Sequence, residues 1–180
     1  MRILALLLAL PLLALDPPVV EKVDLARYMG TWHEIARFPN RFQRGCTCTT
    51  ASYTLRPDGR VKVVNRCGTA AGPAKQSEGW AKVVDPVSNA KLKVTFFWPF
   101  FGDYWILALD PDYRHVLVGT PSRKFLWILA REPRLAEPVY QGLVARASAL
   151  GFEVSRRCRT KATACEASIC CGPALKSAPL

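Results

Sequence analysis

Short segments in which apolar and polar residues alternate, separated by turn residues at intervals of roughly 10 positions, run through most of this sequence from Thr31 onward. Alternation with a period of two residues indicates half-buried β-strands. Eight strands are predicted, near Thr31–Phe38, Thr49–Leu55, Val61–Arg66, Glu78–Val84, Ala90–Phe97, Tyr104–Asp110, His115–Thr120 and Phe125–Arg131. Because tight turns such as Pro57-Asp58-Gly59 join consecutive strands, we expect an all-β, eight-stranded, up-and-down antiparallel barrel. A barrel of this size holds packed side chains or one small ligand.

One helix is predicted after the strands, within "EPVYQGLVARASALG". Its apolar residues fall on one helical face: Val139, Leu143, Ala147 and Leu150. Pro138 suits the first helical position and Gly151 suits the residue just past the end. A helix this short is stabilised mainly by packing, so we expect this C-terminal helix to lie against the outside of the barrel. Val154 is expected to contribute a final short strand.

The first 15 residues, "MRILALLLALPLLAL", have one positive charge followed by an apolar run. This run is shorter than the about 20 residues that cross a bilayer, and it is typical of a secretory signal peptide. The cleavage point stays open. No cysteine follows directly to accept an N-terminal lipid anchor, so we expect a periplasmic or secreted protein. Residues 16–158 are expected to form one domain, and residues 159–180 a flexible, cysteine-containing tail.

All seven cysteines lie in the part that would be exported: Cys46, Cys48, Cys67, Cys158, Cys165, Cys170 and Cys171. Export and cysteine content together predict disulfides. A zinc site would need closely spaced ligand pairs, whereas Cys46 and Cys48 have a single residue between them. No metal and no cofactor is therefore expected.

The formal net charge is +11, but the positive residues are dispersed. The densest groups are Arg41 with Arg44 and the run that begins at Arg156. A basic exported protein suits an anionic lipid head group, a lipopolysaccharide surface or nucleic acid. Nucleic acid is not expected, because no basic and aromatic motif of a known binding module is present. Ordinary solvated surface charge is the simplest interpretation.

Three motifs in order, "GTW" at Gly30–Trp32, "DPDYRHVLV" at Asp110–Val118 and "LWILAR" at Leu126–Arg131, resemble the signature regions of the lipocalins. The sequence around these motifs, such as "YMGTWHEIARF", is similar to the bacterial lipocalin and apolipoprotein D branch. The resemblance implies that Trp32 packs across the closed end of the barrel, with Arg131 over its ring in a cation–π contact. Gly30 would allow the chain to bend there. This motif is structural, and no catalytic residue is implied.

Strand parity predicts the lining of the barrel. Trp127 shares a face with Arg131, and the alternating positions of the other strands place their apolar residues inside. The predicted ligand-binding residues are Tyr53, Val63, Asn65, Val94, Phe96 and Trp127. Tyr53, Asn65 and Trp127 also match positions that the resemblance implies for the pocket. Each aromatic residue alone is better explained as an ordinary core position, but together they describe an apolar cup with few polar groups.

The resemblance and this lining predict a carrier or store for a small hydrophobic ligand, a fatty acid or a lysophospholipid, in envelope lipid maintenance under stress. The alternative is a surface-interaction protein whose barrel is filled by its own side chains. In "FFWPFFGDYW", some rings are expected at the barrel opening, where they suit transient membrane contact, a cover for the pocket or a dimer interface. Arg41 and Arg44 are candidate contacts for a ligand head group. Whether the protein is a monomer or a dimer stays open.

Parity places Cys67 inward and Cys48 outward, while Cys46 lies in a loop that is free to approach Cys67. Relatives implied by the resemblance bridge the position of Cys48 to a C-terminal cysteine. The expected pairs are therefore Cys46–Cys67, and Cys48 with Cys158 or Cys165. Catalysis is not expected, because neither histidine is placed to activate a nucleophile. Glu34 is the one inward acidic residue, and we expect it alone at the closed end in a structural hydrogen bond.

Overall fold

A computed structural model describes residues 15–69 and 72–159. The two helices are α1 (Leu25–Tyr28) and α2 (Glu137–Ala149). The strands are β1 (Gly30–Arg37), β2 (Thr47–Leu55), β3 (Val61–Thr69), β4 (Gly72–Val83), β5 (Lys91–Phe97), β6 (Phe100–Leu109), β7 (His115–Gly119), β8 (Leu126–Ala130) and β9 (Cys158–Arg159). Within the described residues, no helix has the length and apolar character that crossing a bilayer requires.

The strands form one antiparallel sheet in which each of β2 to β7 pairs with the next strand along the chain. β1 pairs with β8 on one side and with β2 on the other, which closes the sheet into an eight-stranded barrel. The predicted up-and-down barrel is thus confirmed. β9 adds two residues to the far end of β1, where Arg37 pairs with Cys158.

The structure differs from the predicted elements at places where alternation is weak. β4 begins at Gly72 rather than Glu78, because backbone pairing with β3 continues through small and polar residues. Val154 lies in a 3-10 turn closed by the Arg157 amide donating to its carbonyl, so the expected strand there is wrong. The short helix α1, whose N-terminus is capped by the Asp24 carboxylate, was not anticipated.

Two apolar clusters lie on either side of the sheet. The inner cluster fills the barrel and includes Trp32, Ile106 and Val118, all fully buried. The outer cluster packs α2 against the outside of the barrel through its buried face: Tyr140, Leu143, Val144 and Ala147. The predicted helix and its position outside the barrel are therefore confirmed.

A β-bulge in β1 changes which residues face inward. The register between β1 and β8 shifts between Glu34 and Ala36. Ile35 and Ala36 consequently both pack in the outer cluster. Arg37 then pairs with Trp127 and turns to the inside of the barrel. Strict alternation from Trp32 would have placed Arg37 outside, so the bulge decides what the interior contains.

The two ends of the barrel differ. At the closed end lies Trp32, with α1 beside it. The opposite, open end carries the connections from β1 to β2, from β5 to β6 and from β7 to β8. These connections span residues 38–46, 98–99 and 120–125.

Candidate functional site

The closed end is sealed by Trp32, which is fully buried. The Arg131 guanidinium carbon lies 4.0 Å from the centre of the indole ring. The same guanidinium donates to four backbone carbonyls, those of Arg27, Tyr28, Thr31 and Tyr113. Gly30 has φ +97°, and a Cβ there would lie 3.1 Å from Nη1 of Arg131. A side chain at position 30 would therefore be strained and would crowd the arginine.

Three tyrosine hydroxyls form the floor of the interior above this seal. The Tyr28 and Tyr104 oxygens are 2.7 Å apart, and the Tyr53 hydroxyl donates to Tyr104 at 3.1 Å. Burial raises the pKa of all three tyrosines well above the ordinary value, so they remain protonated. Three hydroxyl protons share two hydrogen bonds, which leaves one proton without an acceptor within the trio. The floor therefore retains one hydroxyl proton that the trio itself does not use.

The walls of the interior are apolar. Five of the six predicted lining residues belong to the inner cluster or pack against it: Tyr53, Val63, Val94, Phe96 and Trp127. Val63 and Tyr53 are buried near the floor, whereas the other three are half-buried although they lie on the inward face. Part of the inward surface therefore remains accessible. Asn65, two residues along β3 from Val63, is half-buried and makes no side-chain hydrogen bond with the described residues.

A polar group that the sequence analysis missed lies inside the barrel toward the open end. Arg37 and Glu34 form a buried ion pair, each 5% exposed. The Gln43 amide nitrogen donates to the second carboxylate oxygen at 2.6 Å, and its carbonyl oxygen accepts from the Trp127 indole at 3.0 Å. Arg37 also donates to the backbone carbonyl of Cys46. The expectation of a solitary Glu34 is therefore wrong, because the bulge in β1 brings Arg37 beside it.

Burial raises the pKa of Glu34, while Arg37 and Gln43 act in the opposite direction and favour the ionised carboxylate. The Nε atom of Arg37 is buried and has no acceptor among the described residues. The interior thus combines a zwitterionic pair and one unmet donor near the open end with a tyrosine donor at the floor.

Exposed aromatic side chains surround the open end. Phe97, Trp98 and Phe100 are each 78% exposed, and Phe42 is 70% exposed. We refer to these four residues as the aromatic rim. Part of the "FFWPFFGDYW" segment therefore lies at the barrel opening. Arg41 and Arg44, the candidate head-group contacts, are exposed in the connection from β1 to β2 at the same end.

Cys46 and Cys67 form a disulfide that joins this connection to β3. Cys48 is half-buried in β2. The side chain of Cys158, one of its expected partners, is outside the described part of the structure. Cys165, the other expected partner, also lies outside the described residues, as do Cys170 and Cys171. Neither histidine lies in the inner cluster. In the described ranges, no group of three or more His, Cys, Asp or Glu side chains is arranged to hold a metal ion.

Comparison with known proteins matches residues 23–162 to the family described as Lipocalin-like domain. Outer membrane lipoprotein Blc of Escherichia coli strain K12 is 48% identical over 139 residues, which cover 77% of this chain and 78% of that protein. Temperature-induced lipocalin-1 of Arabidopsis thaliana is 45% identical over 151 residues, covering 79% and 81% of the two chains. Apolipoprotein D of Macaca fascicularis is 39% identical over 127 residues, covering 67% of each chain.

Solved structures share the fold at lower sequence identity. Insecticyanin from the tobacco hornworm Manduca sexta superimposes with a TM-score of 0.67 at 22% identity, covering 81% of this chain and 84% of that one. Apocrustacyanin C2 superimposes with a TM-score of 0.64 at 16% identity, covering 76% and 78% of the two chains. At these identities the likeness extends to the barrel architecture alone.

Proposed function

This chain belongs to the lipocalin family, in the branch of Blc and apolipoprotein D, and on that premise we propose that it is a carrier of a single-chain lipid. The ligand class is a fatty acid or a lysophospholipid. The observation that supports this proposal most is the inward surface of Val94, Phe96 and Trp127, which is apolar yet only half-buried. A barrel filled completely by its own side chains would bury such residues fully.

The expected affinity follows from the size of the ligand. Burying each methylene group contributes about 0.8 kcal/mol, so a chain of about 14 carbons gains roughly 11 kcal/mol. Lost translational and conformational freedom costs about 4–15 kcal/mol. Apolar burial alone therefore supports a dissociation constant in the micromolar range at best, and a polar contact to the head group is needed for tighter binding.

The polar head group is placed at the open end in this proposal. Arg41 and Arg44 supply positive charge there, and the Glu34–Arg37 pair with Gln43 supplies hydrogen-bonding groups just inside. A lysophospholipid or fatty acid would then insert its alkyl chain toward the tyrosine floor. Replacing Arg41 and Arg44 together is expected to weaken binding of an ionised fatty acid.

The same proposal places the protein outside the cytoplasm, in the periplasm or secreted, with a role in envelope lipid maintenance under stress. The apolar first 15 residues support export, and the exposed aromatic rim supports transient contact with a membrane. Two relatives support the setting through their names alone: an outer membrane lipoprotein and a temperature-induced lipocalin. No catalytic residue or cofactor is part of this function.

A matched pair of tryptophan variants tests the carrier proposal. Trp127 lies in the barrel interior. Trp80 is not part of the inner cluster; its ring makes an edge-to-face contact with Phe101, and the Arg60 guanidinium lies over it. Trp127→Glu is expected to abolish binding of a fluorescent fatty acid in solution, while Trp80→Glu retains it. Thermal unfolding of both variants checks that each remains folded.

Equal fatty-acid affinity for the Trp127→Glu variant and the parent would instead favour a filled scaffold that acts through its surface. Native mass spectrometry of protein purified from its own host distinguishes the two functions independently. A carrier is expected to retain a fatty acid or lysophospholipid of definite mass, and the same spectrum reports whether the protein is a monomer or a dimer.

A further inference from the structure

A groove of about 500 Å³ lies at the open end, on the outside of the barrel. It runs between the start of the β1–β2 connection and the end of the β7–β8 connection. Three cationic side chains line it, those of Arg41, Lys124 and Arg156, together with the rings of Phe42 and Phe125. We refer to this feature as the cationic groove.

No carboxylate in the described part of the chain neutralises the positive charge of the groove. None of its three cations forms an ion pair with a carboxylate in residues 15–69 and 72–159. Two of them instead lie over aromatic rings, Arg41 over Phe42 at 4.9 Å and Arg156 over Phe38 at 5.5 Å. The chain pairs other cations, since Lys93 contacts Asp103 and Arg114 contacts Asp110. Among the described residues, the groove therefore retains a positive charge that is available to an external anion.

The aromatic rim lies at the same end of the barrel, and Phe42 belongs to both features. Exposed tryptophan and phenylalanine rings favour the interface of a bilayer, and clustered cations are attracted to anionic lipids at its surface. A soluble anion would account for the cations but not for four rings that are at least 70% exposed. Charge and apolar surface together fit one occupant, an anionic membrane.

We propose that the open end docks on an anionic bilayer, with the phosphate of an anionic phospholipid in the cationic groove and the aromatic rim at the level of the head groups. This inference builds on the proposed carrier function and adds a membrane of defined charge. The Phe125 ring of the groove stacks on Trp127 inside the barrel, with ring centres 5.9 Å apart. Docking at the groove therefore brings the bilayer next to the barrel opening, through which a single-chain lipid would enter.

Co-sedimentation with vesicles tests the proposal. The full-length mature protein is mixed with vesicles of phosphatidylcholine alone or of phosphatidylcholine with phosphatidylglycerol. The parent is expected to bind the anionic vesicles more tightly, and added salt is expected to weaken that binding. Replacing all three groove cations (Arg41→Gln, Lys124→Gln and Arg156→Gln) is expected to reduce affinity for the anionic vesicles about 100-fold, given the usual contribution of each cation near such a surface.

The control variant removes the same number of charges at exposed positions around the closed end: Lys22→Gln, Arg56→Gln and Arg134→Gln. It is expected to bind anionic vesicles much more tightly than the groove variant. Equal losses in the two triple variants would overturn the proposal, because they would show a response to net charge alone. Retained affinity of the groove variant for anionic vesicles would also overturn the proposal. So would a parent protein that binds neither kind of vesicle, a result that would favour a protein partner for this surface.

A further variant tests the rim. Phe97→Ser with Trp98→Ser is expected to weaken binding to both kinds of vesicle, because it removes apolar contact without removing charge. Fatty-acid binding in the absence of vesicles is measured for every variant. If the parent docks on anionic vesicles but binds no fatty acid, the carrier function fails while docking stands. If the parent binds fatty acid but does not dock on anionic vesicles, docking alone is overturned.

Discussion

Glu34 and Arg37 show how single residues determine the chemistry of the barrel interior. Burying two charges costs several kcal/mol for each ion, and their attraction offsets this only when further hydrogen bonds are present. Gln43 and the backbone carbonyl of Cys46 provide such bonds. Because these partners belong to the β1–β2 connection, the ion pair also holds that connection against the barrel interior.

Asp110 gives a prediction on pH dependence. Its carboxylate accepts from the backbone amides of Asp112 and Arg114 and from the Arg114 guanidinium, at 3.0–3.1 Å. The hydrogen bond from Arg114 contributes most to lowering the pKa of Asp110. Since the folded pKa is depressed, the stabilisation is present above the unfolded pKa of about 4 and is lost as pH falls through the folded value.

The Asp110→Asn variant should therefore have a lower free energy of unfolding than the parent at neutral pH, and the difference should shrink in acid. Urea denaturation across the acidic range measures both quantities. Asp112→Asn, at an exposed neighbouring carboxylate, serves as the control for the substitution itself. A difference in unfolding free energy between the parent and Asp110→Asn that stays constant down to the lowest pH would contradict this account.

The β1–β2 connection is the element that differs most from a simple hairpin turn. It contains a 3-10 turn, Arg41–Gln43. The Asn40 side chain caps the N-terminus of this turn by accepting a hydrogen bond from the Gln43 amide at 2.9 Å. Gln43 anchors its middle to Glu34 and Trp127, and the Cys46–Cys67 disulfide anchors its end to β3. Three attachments thus hold this segment in place at the open end.

Removing the disulfide tests how much this element depends on it. The two cysteines are 21 residues apart, so the chain-entropy model gives a stabilisation of about 3 kcal/mol. The Cys46→Ala/Cys67→Ala variant is expected to lose about this amount of unfolding free energy in urea denaturation. Non-reducing peptide mapping of the parent verifies the bridge. A variant as stable as the parent would mean that the remaining attachments suffice.

The whole molecule is a closed sheet with one end sealed by Trp32 and Arg131 and the other end bordered by aromatic rings and cations. Closure leaves no free edge along the eight strands, so the barrel need not associate with another copy to satisfy its backbone. The polar Glu34–Arg37 pair lies toward the open end, where the proposed ligand entry and the proposed membrane contact are also placed.

Ligand binding by the native barrel should raise the stability of the whole domain. A fatty acid at 100 times its dissociation constant is expected to add about 2.7 kcal/mol to the free energy of unfolding. For a protein of this size, that corresponds to an increase of about 5–10 °C in Tm. Differential scanning fluorimetry measures the shift, with a short-chain carboxylate as the control. An unchanged Tm at saturating fatty acid would contradict a carrier.

Local patterns in the sequence were sufficient for the barrel and for most of its lining. Alternation of apolar and polar residues with a period of two indicates which face of a strand is buried, and this pattern is present within each strand alone. Strand parity likewise predicts Trp127 on the face of Arg131 and Val63 on the inward face of β3, and in the structure both side chains belong to or pack against the inner cluster. The apolar face and the Pro138 and Gly151 signals likewise predicted α2.

Only the tertiary structure decided the polar contents of the barrel and the surface of its open end. The bulge at Ile35 and Ala36 arises from the pairing of β1 with β8, two strands that are far apart in sequence, so nothing in the local alternation reveals it. It reverses the facing of Arg37 and creates the buried ion pair. The cationic groove depends in the same way on connections and a C-terminal turn that meet only when the sheet closes, because proximity between distant segments is a property of the folded chain.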